Sequence, residues 1–405
     1  MLSLKQMRIV LKSIFKVWVG IWTEIWKRIT HLFLILGSIF RILKPPASPK
    51  HDPEKGPVGC VKSYLPAHGF TPLTSLLTLP IEPLQHKDFQ VVRQFDAVVL
   101  IHGTFVGSDP LAIVSLLDYY FHGTALHTSA QKAIKNLTQR TISKQSDLGN
   151  FTEEYCQEFQ RISKVPTTLF SWSSSNFHLA RLRAAFELKA LLCSQFRNKK
   201  VLFISHSHGG QVLALFSHLL MPKKSELLQS LLTNEYILNQ FGHPEMLMRD
   251  LSTQSRLHFF VNLGCPHRYS WQADFQSRIL HISNYRAGSK IPLDGILFTR
   301  YGDYIQQLGT LGSDFGSILP HENEANLWLD QLLGVGANLK VWRQFLNQDC
   351  QLSPFGQNFL VDYRDESRSF KPNFHQTLFG HGNYTKKINI SATLKMISSH
   401  LRECG

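Results

Sequence analysis

Paired cysteines are missing from this chain. The six it has, Cys60, Cys156, Cys193, Cys265, Cys350 and Cys404, are widely scattered and form no CxxC step. That excludes a zinc-ribbon pattern and a dense disulfide framework and leaves buried, reduced thiols as the expected state. Charge is also modest: 18 % of residues are charged against 43 % hydrophobic, which excludes a disordered polyelectrolyte. Acid is scarcer than base, 29 residues against 43, giving a net charge of +14. There is no internal repeat, no low-complexity tract and no recognisable RNA- or DNA-binding module, so the basic excess points to an anionic membrane surface before nucleic acid. Long apolar runs are absent too. The best uncharged stretch near the N-terminus, residues 29–40, falls short of the roughly 20 residues a spanning helix needs and contains His31. No small-residue cleavage site follows it, which argues against a signal peptide.

The N-terminal segment carries a different pattern. Residues 1–44 hold Lys5, Arg8, Lys12, Lys16, Lys27, Arg28, Arg41 and Lys44 against Glu24 alone, a surplus that is half of the chain's net charge. Met7, Leu11, Ile14, Phe15, Trp18, Trp22, Ile25, Ile29, Leu32, Phe33, Leu36, Phe40 and Leu43 recur three to four apart, a helical stripe. Trp18, Trp22 and Trp26 suit the headgroup layer, and Pro45-Pro46 ends the helix. The expectation is a basic amphipathic helix over 1–44 lying in a membrane interface. A spanning anchor and a helix packed on the protein's own core are the alternatives. Residues 45–95 follow as linker and lead-in.

From residue 96 onward, apolar strand candidates alternate with helical stretches. The strands are 97–101, 167–170, 201–204, 258–263 and 278–282, and a helix is predicted over 178–196. This alternation predicts an α/β fold with a mostly parallel sheet flanked by helices, whose functional groups gather beyond the carboxyl ends of the strands. Two long segments, about 111–165 and 295–370, read as insertions of the kind that form lids or caps. The main domain is thus 96–405 with two insertions.

The most informative stretch is Val201-Leu-Phe-Ile-Ser205-His206-Ser207-His208-Gly209-Gly210. An apolar strand runs straight into a helix start, and the chain must reverse in about four residues. A serine hydroxyl is a poor nucleophile until a base takes its proton and an oxyanion hole receives the developing charge. A sharp strand-to-helix turn exposes such a serine, in the G-x-S-x-G pattern known as a nucleophile elbow. Ser207 occupies the tip and Gly209 follows two residues on. Ser205 stands where glycine is usual.

Together with other segments, this stretch resembles the α/β-hydrolase superfamily, particularly its lipase- and esterase-like serine hydrolases. Val98-Val-Leu-Ile-His102-Gly103-Thr104 is similar to the oxyanion strand and its HG-x turn. Phe170-Ser-Trp172-Ser173 and Asn262-Leu-Gly264-Cys-Pro266-His267 are similar to the strands on either side of the elbow. The likeness covers roughly residues 96–294 and 372–400. It implies an oxyanion hole from the backbone N–H groups of Thr104 and His208. It also implies the chain order serine, acid, histidine. Asp294, shortly after the strand at 278–284, is the first candidate for the acid and Asp303 the second. Phe379-Gly380-His381-Gly382-Asn383 resembles the histidine loop and makes His381 the general base, ahead of His375 and His321. His206 and His208 are too closely tied to the elbow to reach across as bases.

The expected function is therefore a serine hydrolase cleaving a carboxylic ester, of lipid character, at a membrane surface through Ser207, His381 and Asp294. Neither metal nor organic cofactor is implied. An acyltransferase or thioesterase using the same triad, and a catalytically degenerate membrane-bound interaction protein, are the rivals.

Overall fold

A computed structural model describes residues 74–78, 90–103, 151–234, 251, 257–267, 269–284, 303, 306, 320–333, 353, 355–362 and 381–404. The N-terminal helix expected over 1–44, Thr104, Asp294 and His375 lie outside these residues. The strands are β1 Thr74–Thr78, β2 Ala97–Ile101, β3 Thr167–Phe170, β4 Val201–His206, β5 His258–Leu263, β6 Ile279–Asn284 and β7 Gln357–Asp362. The helices are α1 Glu153–Ser163, α2 His178–Gln195, α3 Gly209–Leu220, α4 Glu226–Leu232, α5 Pro320–Leu333 and α6 Ile390–Cys404.

The seven strands form one sheet in the order β1-β7-β6-β5-β4-β2-β3, and every neighbouring pair is parallel. Strand side chains alternate between two layers, as a pleat of period two requires. Val99, Ile101, Val201, Phe203 and Phe260 pack with Leu182 and Leu188 of α2 and Val212, Leu215 and Phe216 of α3. Val98, Leu100, Leu202, Ile204, Val261 and Leu263 pack with Tyr155 and Phe159 of α1 and Ile390, Leu394 and Ile397 of α6. Burial on both faces explains why β2 and the first four residues of β4 are continuously apolar in sequence. Fully burying one such side chain contributes about 1.5–3 kcal/mol.

The chain reverses its direction of travel across the sheet at β3. From β2 it moves outward to β3, and from β3 it returns past β2 to β4 and continues to β5 and β6. Right-handed crossovers in opposite directions put their helices on opposite faces. Accordingly α1, between β2 and β3, lies in one layer and α2, between β3 and β4, in the other. The carboxyl ends of β2 and β4 thus flank a topological switch point, where α/β sheets open a crevice for ligands.

Three segments depart from the sequence reading. The stretch 45–95, expected to be linker and lead-in, contributes strand β1. The stretch 295–370, expected to be an insertion, contributes β7, which joins β1 to β6, and α5. Asn326 of α5 accepts hydrogen bonds from the backbone N–H groups of His178 (2.7 Å) and Leu179 (3.4 Å), capping α2 where Phe177 cannot. Ala325 and Leu329 of α5 are buried in the core, so this helix belongs to the packed layer. The end of the 111–165 segment likewise forms α1, capped by Thr152, whose Oγ1 accepts from the Tyr155 N–H at 3.1 Å. The boundaries at 195, 206 and 284 move by one to two residues, the usual uncertainty of helix and strand ends.

Candidate active site

Ser207 lies in the two-residue turn between β4 and α3, with φ at 53°. A side chain in this left-handed region costs about 1–2 kcal/mol, and tertiary contacts hold it there. The Ser207 N–H donates to the Leu263 carbonyl at 3.1 Å, and its own carbonyl accepts from the Gly210 N–H at 3.0 Å. The β2–β4 register pairs Ile101 with Ser205, which brings Gly103 level with Ser207. A Cβ at Gly103 would stand 2.6 Å from the Ser207 Cβ and 3.2 Å from its Oγ. One at Gly209 would stand 2.7 Å from the Ile101 carbonyl oxygen. Small residues at both places are what let the turn close.

Ser205, the departure from G-x-S-x-G, is accommodated. It is fully buried, and its Oγ donates to Asn262 Oδ1 at 2.7 Å on the neighbouring strand. The hydroxyl meets a partner that no aliphatic side chain of its size would use.

The His102-Gly103 turn is braced by the segment after β3. The Trp172 N–H donates to His102 Nε2 at 3.3 Å, so Nδ1 carries the proton and donates to the Gly103 carbonyl at 2.9 Å. Trp172 Nε1 donates to the His102 carbonyl at 2.9 Å, and the Ser174 hydroxyl donates to the Gly103 carbonyl at 2.8 Å. Burial pushes the His102 pKa down to about 4, against the raising effect of its bond to Gly103, so the ring is a neutral strut at neutral pH. Sequence reasoning missed this role for Trp172 and Ser174. The signal available was the run Ser171-Trp172-Ser173-Ser174-Ser175 that follows β3.

His381 opens the short 3-10 turn His381–Thr385 before α6. Its Nδ1 donates to Asp303 Oδ2 at 2.5 Å, and both side chains are buried. Its other ring nitrogen, Nε2, is buried with no hydrogen-bond partner. Asp303 is anchored in turn: its Oδ1 accepts from the Gln306 N–H at 2.9 Å, and its own N–H donates to the Asn284 carbonyl at the end of β6, at 3.1 Å. Tyr384 ties the histidine turn to the same strand end, its hydroxyl accepting from the Asn284 N–H at 2.5 Å. Gly264, with φ at +56°, passes where any side chain would collide with Tyr384 and Asp303.

The elbow and the histidine turn meet through His206. Its ring lies 4.5 Å, centroid to centroid, from that of His381, and its Nε2 donates to the His381 carbonyl at 3.1 Å. The structure thus pairs His381 with Asp303, the second of the two acids named from sequence, and packs His381 against His206, the residue before Ser207. The carboxylate beside His381 is Asp303, whereas Asp294 lies outside the described residues. His208 sits at the N-cap of α3, and its proposed oxyanion partner Thr104 lies outside the described residues. Among the described residues, no group of three or more His, Cys, Asp or Glu is placed to hold a metal ion, and no helix is long and apolar enough to cross a membrane. Comparison of the chain with protein-family models, with curated proteins and with solved structures finds no match.

Proposed function

We propose that the protein is a serine hydrolase of the α/β-hydrolase type that cleaves a carboxylic ester. The observation that carries this reading is the left-handed Ser207 at the β4–α3 turn, with a buried His381–Asp303 pair packed against the residue before it. Ser207 Oγ attacks the acyl carbonyl while His381 Nε2 takes its proton, and the same nitrogen then protonates the leaving alcohol. Asp303 holds the ring in the tautomer that leaves Nε2 basic and stabilises the imidazolium as it forms. The N–H of His208, at the N-cap of α3, and that of Thr104 receive the oxyanion; one such donor contributes about 3 kcal/mol to the transition state. Water then hydrolyses the acyl-enzyme by the same route.

The lipid character of the substrate and the membrane surface rest on the basic, tryptophan-bearing pattern of residues 1–44. A fluorophosphonate probe should label the wild-type protein and leave Ser207→Ala unlabelled. A panel of acyl esters of differing chain length and headgroup should be turned over by the first protein and not the second. Equal labelling of Ser207→Ala, or none of folded wild type, defeats the hydrolase reading and favours the interaction-protein rival. Deleting residues 1–44 should move the protein off liposomes containing anionic lipid while sparing hydrolysis of a short soluble ester. Undiminished liposome binding after that deletion defeats the surface-anchor reading alone.

A further inference from the structure

Ser207 and His381 lie 174 positions apart in the chain, yet one imidazole connects them. His206 is bonded covalently to the nucleophile's residue and touches the base on its other side. We propose that His206 is a positioning residue whose ring, wedged behind the elbow, donates to the backbone carbonyl of His381 and so sets the base against both Asp303 and Ser207. The proposal rests on the hydrolase reading for its catalytic consequence, and on geometry alone for the positioning itself.

A carbonyl oxygen only accepts, so the 3.1 Å contact with the His381 carbonyl requires a proton on His206 Nε2. Nδ1 is then the unprotonated nitrogen, and it is buried with no hydrogen-bond partner. The ring is enclosed: Phe151 meets it edge-on at 6.2 Å, Tyr384 lies at 5.8 Å and His381 at 4.5 Å. A side chain that is 0 % exposed and meets ring surfaces on several sides has little room to change rotamer. The donor therefore points at a fixed place, and the His381 backbone with it. The mechanism does not use His206 as an acid or base, and the enclosure explains why it should not.

The charges facing His206 fit that passive role. They are His381 and Tyr384 from the turn before α6, His102 from the end of β2, His208 from the start of α3, and Asp303 across the His381 ring. Burial chiefly, and next His381, hold His206 well below the ordinary histidine range. It stays neutral while His381 becomes an imidazolium beside it. A second cation at this distance would oppose that step.

The ring and the donor are separable. His206→Phe keeps a flat ring and deletes the N–H, whereas His206→Gln keeps an N–H donor of similar reach. In His206→Phe, kcat for a short acyl ester should fall about tenfold with KM little changed, the scale expected when a base drifts by a fraction of an ångström. His206→Gln should recover kcat to within about threefold of wild type. Nitrogen-15 NMR of the histidine rings reads the same geometry without turnover, through the His381 Nδ1–H bond to Asp303 in all three proteins and the tautomer of His206 in wild type. A wild-type His206 protonated at Nδ1 overturns the proposal even where both variants fail to fold. So does a His206→Phe with wild-type kcat and an unchanged His381–Asp303 hydrogen bond, or a His206→Gln as impaired as His206→Phe. Failure of the fluorophosphonate to label wild-type Ser207 counts against the hydrolase reading instead, and leaves the NMR outcome to decide the positioning.

Discussion

Gly103 and Ser207 approach each other so closely that a methyl group on the glycine would place its carbon 2.6 Å from the serine Cβ and 3.1 Å from the His206 carbonyl oxygen. Real Cβ atoms do not pack at 2.6 Å, and neither neighbour is the free end of a flexible chain. Gly103→Ala should therefore push Ser207 off its position. A displacement of about 1 Å costs on the order of 100-fold in rate, and overpacking costs about 1–3 kcal/mol in stability. Ester hydrolysis and urea denaturation of the variant check both. A variant with wild-type rate would show that the two turns do not constrain each other.

The φ of 53° at Ser207 predicts an unusual pair of stabilities. Glycine ordinarily destabilises by about 0.5–1 kcal/mol relative to alanine. Here the left-handed backbone reverses the order, because alanine retains the steric cost and glycine does not. Ser207→Gly should be more stable than Ser207→Ala by about 1 kcal/mol, both being inactive. Chemical denaturation of the two decides it, and the ordinary order would show that the serine backbone is unstrained.

Asp303 and Asp294 make different predictions for the same assay. Asp303→Asn places an amide against His381 Nδ1, which favours the tautomer that protonates Nε2 and so removes the base. In serine proteases the equivalent change costs about 10⁴-fold in kcat, and a loss of that order is expected here. Asp294→Asn should stay within about threefold of wild type, since Asp303 already fills the position beside His381. Parallel kinetics on the two variants test the assignment, and the reverse ranking would return the acid to Asp294.

Four buried histidines should make the fold sensitive to acid. Burial lowers the pKa of His102 to about 4 and of His258 to about 3, and holds His206 and His281 well below the ordinary value near 6.5. Both nitrogens of His258 lack hydrogen-bond partners. Above about pH 6.5 these rings are neutral in both folded and unfolded chains and contribute no pH dependence. Below it the unfolded chain takes up the protons first, so stability falls progressively toward the folded pKa values. For His258 the loss reaches about 2 kcal/mol at pH 5. His258→Phe, which can keep the edge-on contact with Phe203 seen at 5.6 Å, should shift the acid midpoint to lower pH. Denaturation followed across the acid range checks this, and an unchanged midpoint would show that His258 is not among the residues that protonate on unfolding.

The elbow was legible in the sequence because it is local. Val201–Ile204 is apolar because it is covered on both faces, and Ser207, Gly209 and Gly210 follow within a few residues. Strand β2 and its His102-Gly103 ending were legible for the same reason. Strands β1 and β7 were not. They are edge-side strands with short apolar centres, and each becomes a strand through pairing with a partner remote in sequence, Thr74 with Asn358 for example. Helix α5 was read as lid material because its burial depends on α2, which lies well over 100 residues earlier.

The choice of acid shows the boundary most clearly. The serine, acid, histidine order implied by the α/β-hydrolase resemblance restricts it to aspartates after β6 and before His381, and both candidates meet it. Which one reaches His381 depends on how the loop beyond β6 is tethered, here by the bond from the Asp303 N–H to the Asn284 carbonyl and by the cap on Gln306. The sequence by itself determined the α/β alternation and the strand-to-helix turn that carries Ser207, because backbone sterics and hydrophobic period act over a few residues, whereas His381 was marked by the resemblance of its loop. Only the tertiary structure decided which carboxylate, which edge strands and which second imidazole surround them, because those contacts are made by loop closure across hundreds of residues.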